Sequence, residues 1–339
     1  MTFDRTPLLV ACTIVLAGLA CEEPEPPSHT SEFVPALEAY TQGRRALEEA
    51  GIDEIRFGLT PYLAADALSE RYLPILAHVE SRLNVPITLV VGQDYEDVED
   101  RIVEGSLDVA VVSPYAYVRA KDRNPDIQAF SSHVAQGSTT YGTYIITRDD
   151  SSVRTLEDLR GRRFAYVDRR STSGWLFPAA RMLESNIHPL EDVQPLFAGS
   201  HDRLFEVVAN GQADAGATYH GALREGRQRM PEAAMLRIIA KGQRIPYDAY
   251  VARAMFPDEA SEAFGRALSE ISTRDPTGRR ILSSMLRING FVSVDDTHYD
   301  TVRNIHRELN LALGTDALEA SSPAILQDEE PPENTEDPP

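Results

Sequence analysis

Three hydroxyl side chains and a glycine, Ser171-Thr172-Ser173-Gly174, stand between a predicted strand and a predicted helix. Residues 163–167 are apolar and aromatic, as in a short buried strand, and apolar residues from Leu176 onward recur at helical spacing. A strand that turns into a helix through such residues directs free backbone N–H groups, hydroxyls and the positive end of the helix dipole at one point. The segment therefore predicts a site for a tetrahedral oxyanion. The alternative is a serine that only caps an ordinary surface helix.

The same kind of junction recurs along the chain. Hydroxyl-bearing residues also stand where a strand or loop enters a helix at Thr60-Pro61-Tyr62, Ser113-Pro114-Tyr115, Ser200-His201 and Thr218-Tyr219-His220. In an open α/β sheet, ligands bind outside the carboxyl ends of the strands, where such junctions lie. Several of them facing one crevice would hold an oxyanion with neutral donors.

The elements that must position these junctions alternate between strands and helices, which predicts parallel sheets. Apolar segments predict strands at 55–59, 87–91, 109–112, 163–167, 193–197, 214–217 and 236–240. Segments 141–147 and 247–252 are expected to be strands that cross between two halves of the protein. The part of the chain that follows residue 252 is predicted to be helical, with helices over 259–271, 278–286 and 299–313.

Composition excludes several classes of function. The 339 residues carry a formal charge of −20, with a pI near 4.8, so no basic surface exists to bind nucleic acid. An anion site must therefore act locally, through aimed dipoles rather than net charge. The two cysteines are Cys12 and Cys21, which excludes a cysteine metal site or nucleophile beyond the N-terminal segment.

The N-terminus has the pattern of a targeting segment. An apolar run from Pro7 to Ala20 ends at Cys21 and is followed by acidic and proline residues. This resembles a bacterial lipoprotein signal over residues 1–20, with Cys21 acylated after cleavage; the alternatives are an ordinary secretory signal or an uncleaved anchor. Residues 21–52 are expected to be a tether with a possible helix over 35–50. Residues 314–339, rich in proline and acid, predict a disordered tail.

Longer motifs resemble a known family. The segments LDVA at 107–110 and SPYAYV at 113–118 are similar to the first lobe of phosphonate/phosphite/phosphate-binding proteins of ABC transporters. LEDLRG at 156–161, STSGWLFP at 171–178, GSHD at 199–202 and NGQADAG at 210–216 are similar to the second lobe. The resemblance covers about residues 53–310. It implies a type II periplasmic binding protein, with lobe 1 formed by residues 53–145 and 250–313, lobe 2 by 146–249, two crossovers and a ligand cleft between the lobes.

The resemblance also implies a set of ligand-binding residues. Ser171, Thr172 and Ser173 would grip the oxyanion from lobe 2, and the remaining candidates are Tyr62, Tyr115, His201, Tyr219 and Asp248. His201 could instead cap its helix, and Asp248 could be an acid in a surface turn. If Asp248 faces the ligand, it would favour a P–OH group and reject sulfate. Among the flanking residues, Tyr117, Tyr144 and Trp175 are expected to pack in the core, and Arg169 and Arg170 to be exposed.

One departure from the family narrows the range of ligands that the sequence predicts. Members that bind aminoalkylphosphonates carry an acid shortly after the strand at Asp214, to hold the ligand's ammonium. Here that segment is Thr218-Tyr219-His220-Gly221, and a tyrosine or histidine replaces a carboxylate poorly. The sequence therefore favours phosphate, phosphite or a phosphonate with an uncharged tail over 2-aminoethylphosphonate.

For function, the resemblance implies a monomeric substrate-binding lipoprotein that captures a small phosphorus oxyanion for an ABC permease. It implies no cofactor, no metal and no catalytic activity. One alternative is a ligand-sensing partner of a membrane receptor with the same fold. The other is a periplasmic phosphoester hydrolase, although no G-x-S-x-G, H-E-x-x-H or P-loop motif is present.

Overall fold

The computed structural model describes residues 30–314 apart from Leu286, with side chains from Leu37 onward. The predicted signal peptide, the predicted acylation site at Cys21 and the predicted tail after Gly314 lie outside the described residues. Within the described part, no helix is both long enough and apolar enough to cross a membrane.

The described chain alternates between strands and helices. The strands are β1 Ile55–Leu59, β2 Ile87–Val91, β3 Val109–Val112, β4 Gln128–Ala135, β5 Thr140–Arg148, β6 Arg163–Tyr166, β7 Gln194–Phe197, β8 Ala215–Tyr219, β9 Leu236–Pro246, β10 Ala249–Ala252 and β11 Ile288–Ser293. The helices are α1 Thr30–Glu49, α2 Ala65–Leu83, α3 Tyr95–Val103, α4 Pro114–Arg123, α5 Phe177–Glu184, α6 His201–Ala209, α7 His220–Arg229, α8 Pro231–Ala234, α9 Asp258–Ser269, α10 Pro276–Ile281 and α11 Asp300–Leu313. Short 3₁₀ turns cover Glu157–Leu159 and Asp296–Tyr299, and a π-helical turn covers Thr172–Leu176.

The strands form two sheets, which define two lobes. The lobe 1 sheet has the order β11-β4-β10-β3-β1-β2, and the lobe 2 sheet has the order β7-β6-β8-β5-β9. Parallel pairs (β1 with β2 and β3, β6 with β7 and β8) form one part of each sheet, and antiparallel crossover strands complete it. The chain passes between the sheets at residues 136–139 and at Tyr247-Asp248.

The lobe boundaries differ from the expected ones. The first boundary was expected after residue 145, but β5 joins the lobe 2 sheet from Thr140, which pairs with Pro246 of β9. The second boundary falls at Asp248, close to the expected position. An alternating pattern identifies a strand but does not say with which sheet it pairs, because its partners lie far away in sequence.

Two strands of lobe 1, β4 and β11, were not predicted; the segment of β11 was expected to be helical. The β4 strand buries Ser131, Ser132 and His133, so it lacks a clean apolar pattern. Its polar groups are satisfied by neighbouring strands: the Ser131 hydroxyl donates to the Val292 carbonyl (3.3 Å) and His133 Nε2 contacts the Tyr250 hydroxyl (3.1 Å). These partners are distant in sequence, so local pattern could not reveal them.

Helix α1 is part of lobe 1 and not a free tether, as had been expected for residues 21–52. It packs against α9, where a Cβ on Gly43 would lie 2.6 Å from the Ala263 Cβ, so only glycine allows this approach. Leu47 is fully buried, and the Tyr40 hydroxyl donates to Glu270 at 2.5 Å. The helix expected over 35–50 is therefore present and longer, and it covers the lobe 1 core.

We expect Leu47→Ala to lower the free energy of unfolding by about 2–3 kcal/mol, because it removes a buried side chain and leaves a cavity between α1 and lobe 1. Leu37→Ala is the matched control, since Leu37 lies on the same helix and is 58% exposed. Urea unfolding measures both. Equal stability of the two variants would show that α1 does not contribute to the core of lobe 1.

Candidate functional site

A cavity of about 90 Å³ lies between the two lobes, at the carboxyl ends of β1, β3, β6 and β8. Such a volume accommodates a small oxyanion, since about 10–15 Å³ by the same measure holds one water. Most of the predicted site residues line it: Tyr62, Ser171, Thr172, Ser173, His201, Tyr219 and Asp248. Among the described residues, no group of three His, Cys, Asp or Glu side chains is arranged to hold a metal ion.

The Ser171 turn places its three hydroxyls at the cavity, where Ser171 also contacts the Tyr95 hydroxyl and Ser173 contacts the Tyr141 hydroxyl. Ser171 Oγ accepts from the Gly174 N–H (3.0 Å), and Thr172 Oγ1 accepts from the Tyr115 N–H of lobe 1 (2.9 Å). A hydroxyl whose oxygen already accepts a backbone hydrogen bond still has its O–H available for a ligand. Gly174 is required here because a Cβ would lie 2.5 Å from the Val167 side chain. The turn continues as a π-helical turn, a feature found frequently at functional sites.

Tyr115 is the exception among the predicted site residues, because its side chain does not line the cavity. Pro114 is the first residue of α4 and Ser113 caps the helix, so the hydroxyl of Ser113, not the ring of Tyr115, faces the cleft. The Tyr115 ring is fully buried against α11, where its hydroxyl lies 3.1 Å from His306 Nδ1. Tyr115 contributes to the site through its backbone N–H, which holds Thr172.

Lobe 1 instead supplies three residues that were not singled out as ligands, Thr60, Ser113 and Tyr95. The Thr60 hydroxyl donates to the Val111 carbonyl (3.1 Å), and the Ser113 hydroxyl donates to the Arg170 carbonyl of lobe 2 (2.6 Å). The strand-to-helix junctions at Thr60 and Ser113 were recognised in the sequence, but which side chain of each junction faces the cleft depends on the helix start.

Two buried histidines line the cavity in the neutral form. Burial lowers the pKa of His201 to about 3 and that of His133 to about 4. His201 Nδ1 lies 2.9 Å from the Thr218 hydroxyl, which fixes the ring. The alternative that His201 caps α6 is wrong, because the cap is Ser200, whose Oγ accepts from the Arg203 N–H (3.2 Å). Both histidines are therefore neutral in the cavity, and each offers one N–H donor and one acceptor nitrogen rather than a positive charge.

Asp248 lies on the second crossover, between β9 and β10, and faces the cavity rather than a surface turn. Burial raises the pKa of its carboxyl to about 7. Its backbone carbonyl accepts from the Ser132 hydroxyl (3.0 Å), which fixes the crossover. Its pKa therefore lies near neutral pH, where the carboxyl can change between donating and accepting a hydrogen bond.

A group of tyrosines surrounds the carboxyl of Asp248. Burial raises the pKa of Tyr62, Tyr95, Tyr141 and Tyr219, so their hydroxyls stay protonated. Tyr141 packs against Tyr219 with ring centroids 5.3 Å apart and against Tyr247 at 4.9 Å. The rings form an apolar wall that reduces solvent access, which strengthens hydrogen bonds made inside the cavity.

Two further polar contacts join the lobes across this cavity. Arg71 of α2 pairs with Glu225 of α7 at 2.5 Å, and both side chains are 11% exposed. The Arg287 guanidinium of lobe 1 lies 2.6 Å from His220 Nδ1 of lobe 2. Sequence reasoning missed the ion pair because its members are 154 residues apart and neither belongs to a motif.

Two expectations about residues near the Ser171 turn are wrong. Arg170 is 3% exposed, not solvated, and it pairs with Glu96 and Glu99 of α3. Arg169 lies over the rings of Trp175 (5.1 Å) and Phe197 (4.8 Å).

The expected core packing of the aromatic residues holds for Tyr117 and Trp175, which are fully buried. Tyr144 is half-buried and packs edge-on against His220, with ring centroids 5.7 Å apart. It is therefore a wall residue of a neighbouring cavity rather than a core residue.

Comparison with known proteins places these features in a family. Residues 57–299 match the profile of the family described as "ABC transporter, phosphonate, periplasmic substrate-binding protein". The phosphate-import protein PhnD of Mycolicibacterium smegmatis is 25% identical, over 87% of this chain and 92% of that protein. The phosphonates-binding periplasmic protein of Escherichia coli is 27% identical, over 59% of this chain and 60% of that protein.

Solved structures support the same fold. A binding protein component of an ABC phosphonate transporter from Pseudomonas aeruginosa superposes with a TM-score of 0.69 at 23% identity, covering 79% of this chain and 89% of that one. PhnD1 of Prochlorococcus marinus, solved with methylphosphonate, superposes with a TM-score of 0.70 at 17% identity, covering 76% and 98%. The expected fold, a type II periplasmic binding protein, is confirmed.

Proposed function

Because the chain belongs to the family of periplasmic substrate-binding proteins of phosphonate ABC transporters, we propose that it captures a small phosphorus oxyanion between its lobes for import. Its relatives include a phosphate-import protein and a protein solved with methylphosphonate. Phosphate, phosphite and phosphonates with uncharged tails are therefore the proposed ligands.

Polar groups from both lobes converge on one cavity, which supports this proposal. Ser171, Thr172 and Ser173 line it from lobe 2 and are the candidate hydroxyl donors. Thr60 and Ser113 line it from lobe 1, where their hydroxyl protons are donated to the Val111 and Arg170 carbonyls. Burying a multiply charged anion is costly unless its oxygens are saturated with donors. Hydrogen bonds to an ionised acceptor are roughly twice as strong as neutral ones, so neutral hydroxyls and N–H groups can supply much of this need.

The two carboxyl groups that line the cavity support the expectation that aminophosphonates bind weakly. Glu225 lies in the cavity, but Arg71 already neutralises it, so an ammonium group would have to displace a guanidinium. Asp248 can share one proton with a phosphorus oxyanion that carries a P–OH group even when the carboxyl is ionised, whereas sulfate brings no proton and needs a protonated carboxyl. The site should therefore favour protonated phosphorus oxyanions over sulfate most strongly above pH 7, where the carboxyl is ionised.

Calorimetry with phosphate, phosphite, methylphosphonate, 2-aminoethylphosphonate and sulfate tests the proposal. We expect binding of at least one of the first three ligands, and weak or no binding of the last two. Tight binding of sulfate, or binding of no phosphorus ligand, would contradict the assignment. Hydrolysis of phosphoesters by the purified protein would favour catalysis over capture.

Ser171→Ala should weaken oxyanion binding by about 1–3 kcal/mol, because one donor to a buried anion is lost. Ser200→Ala is the matched control: each serine caps a helical turn by accepting from the N–H three residues on, but Ser200 does not line the cavity. Both variants should lose similar stability in thermal unfolding. Only Ser171→Ala should lose affinity in calorimetry, and equal affinities would remove Ser171 from the site.

The proposal also includes a partner that receives the ligand and a lipid that anchors the protein to the membrane. The family assignment supports an ABC permease as the partner and a periplasmic location, and the pattern before Cys21 supports a lipid anchor. Mass spectrometry of the mature N-terminus tests the anchor, since an unmodified Cys21 would contradict it.

A further inference from the structure

A second cavity of about 480 Å³ opens directly beside the ligand cavity. We call it the vestibule. It is bounded by the segment that joins β4 to β5 and by β9, and it shares four residues with the ligand cavity: Tyr141, His220, Tyr247 and Arg287. A ligand too long for the inner cavity of about 90 Å³ would therefore extend into the vestibule.

The vestibule is basic, although the chain has a formal charge of −20. Lys241, Arg244 and Arg287 line it, and no aspartate or glutamate is among its described lining residues. Arg244 donates to the hydroxyls of Ser138 and Thr140, and Arg287 contacts His220 and the Gln136 side-chain carbonyl. These partners are neutral, so they orient the guanidinium groups without cancelling their charge.

The same positive field acts on His220. Its pKa is lowered first by burial and then by four cations: Arg287, Arg224, Arg244 and Lys241. His220 stands where the two cavities meet, so the positive potential extends to the mouth of the inner cavity. A ligand group that leaves the inner cavity passes directly into this field.

The two cavities therefore have opposite preferences for a ligand's tail. In the inner cavity Glu225 is paired with Arg71, and Asp248 would repel a second negative group. In the vestibule three cations would attract that group and would repel an ammonium.

We propose that the vestibule is a second anion subsite, which holds the carboxylate of a phosphonate whose phosphorus group lies in the inner cavity. This inference rests on the proposed function, because it presupposes that the inner cavity holds the phosphorus group. It extends the ligand class from phosphonates with uncharged tails to carboxylated phosphonates.

A competing interpretation is that the vestibule only steers anions toward the inner cavity. Steering raises the association rate of every anionic ligand and is screened by salt. A subsite instead discriminates between ligands, since only a ligand with a second anionic group gains affinity. The two are separated by comparing ligands that differ in the tail alone.

The test compares methylphosphonate with phosphonoacetate, 3-phosphonopropionate and 4-phosphonobutyrate by calorimetry on the wild-type protein. We expect at least one carboxylated ligand to bind about tenfold more tightly than methylphosphonate, because it gains a charge-assisted contact. Lys241→Gln and Arg244→Gln should reduce this gain and leave methylphosphonate affinity unchanged. Arg45→Gln, an exposed cation on α1, is the control and should change neither affinity.

Three results are distinguishable. If methylphosphonate and phosphate bind but no carboxylated phosphonate binds more tightly, the subsite is wrong and the proposed function stands. If Lys241→Gln and Arg244→Gln weaken all ligands equally, the vestibule steers anions and is not a subsite. If no phosphorus ligand binds to the wild-type protein, the proposed function itself fails.

Discussion

Asp248→Asn should remove most of the pH dependence of oxyanion binding between pH 6 and 8.5. Burial raises the pKa of Asp248 to about 7, and a bound anion would raise it further. Below pH 7 one proton lies between the carboxyl and the ligand. Above pH 7 both lose it and repel, so wild-type affinity should fall by up to about tenfold per pH unit. An asparagine amide donates at every pH, so the variant should bind more tightly than wild type at pH 8.5.

Calorimetry from pH 5.5 to 8.5 in buffers of different ionisation enthalpy measures the affinity and counts the protons taken up. A phosphonate monoester is the control ligand, because it keeps one charge over this range and isolates the titration of the protein. If the affinity of Asp248→Asn for the monoester falls with pH as steeply as that of wild type, Asp248 does not face the ligand.

The same substitution has a separate effect on the protein without ligand. The pKa of Asp248 is raised in the folded state from 3.8 to about 7, so its contribution to stability is fully present below pH 3.8 and is lost as the pH rises through 7. Because asparagine does not ionise, Asp248→Asn should be more stable than wild type at pH 8, by at most roughly 4 kcal/mol. The difference should vanish in thermal unfolding at pH 4, and a difference that is constant with pH would contradict the raised pKa.

The parts of the fold that were predicted correctly are those set by local pattern. Strands β1, β2 and β3 lie at the predicted bounds, because each is a short apolar run ended by a turn or helix signal. Strands β4 and β11 were missed, because β4 buries serine and histidine side chains whose partners come from other strands. The tether interpretation of α1 failed for a related reason: its packing depends on α9, more than 200 residues further along the chain.

The residues of the site also fall into those that a local sequence signal predicts and those that it does not. The hydroxyl-bearing junctions could be found in the sequence, because a strand followed by a cap residue and a helix is a local signal. The pairing of Arg71 with Glu225 could not, and neither could the burial of Arg170. Charged residues are normally exposed unless they are paired, and the partners here come from the opposite lobe. Sequence reasoning therefore predicted the donors for the ligand but not the ion pairs between the lobes.

The largest loss of stability is expected from removing the charge of Glu99, which forms ion pairs within lobe 1 and between the lobes. The Glu99 carboxylate is fully buried among three arginines: Arg119 at 3.1 Å and Arg123 at 3.0 Å from lobe 1, and Arg170 at 3.6 Å from lobe 2. Glu99→Gln would leave Arg119 and Arg170, which are 5% and 3% exposed, with less compensation for their buried charge. We expect the free energy of unfolding to fall by about 3–5 kcal/mol, as when one partner of a buried ion pair is removed.

Asp100→Asn, one residue along α3, is the matched control for Glu99→Gln. Asp100 pairs with Arg123 at 2.6 Å, but its side chain is 41% exposed, so the expected loss is about 0–1 kcal/mol. Urea unfolding compares the two.

Glu99→Gln should also weaken oxyanion binding, because Arg170 directly precedes Ser171 and its carbonyl accepts from the Ser113 hydroxyl across the cleft. Equal stability of the two variants would show that the arginines at Glu99 are compensated without it, and equal oxyanion affinities would show that the cluster does not hold the Ser171 turn in place.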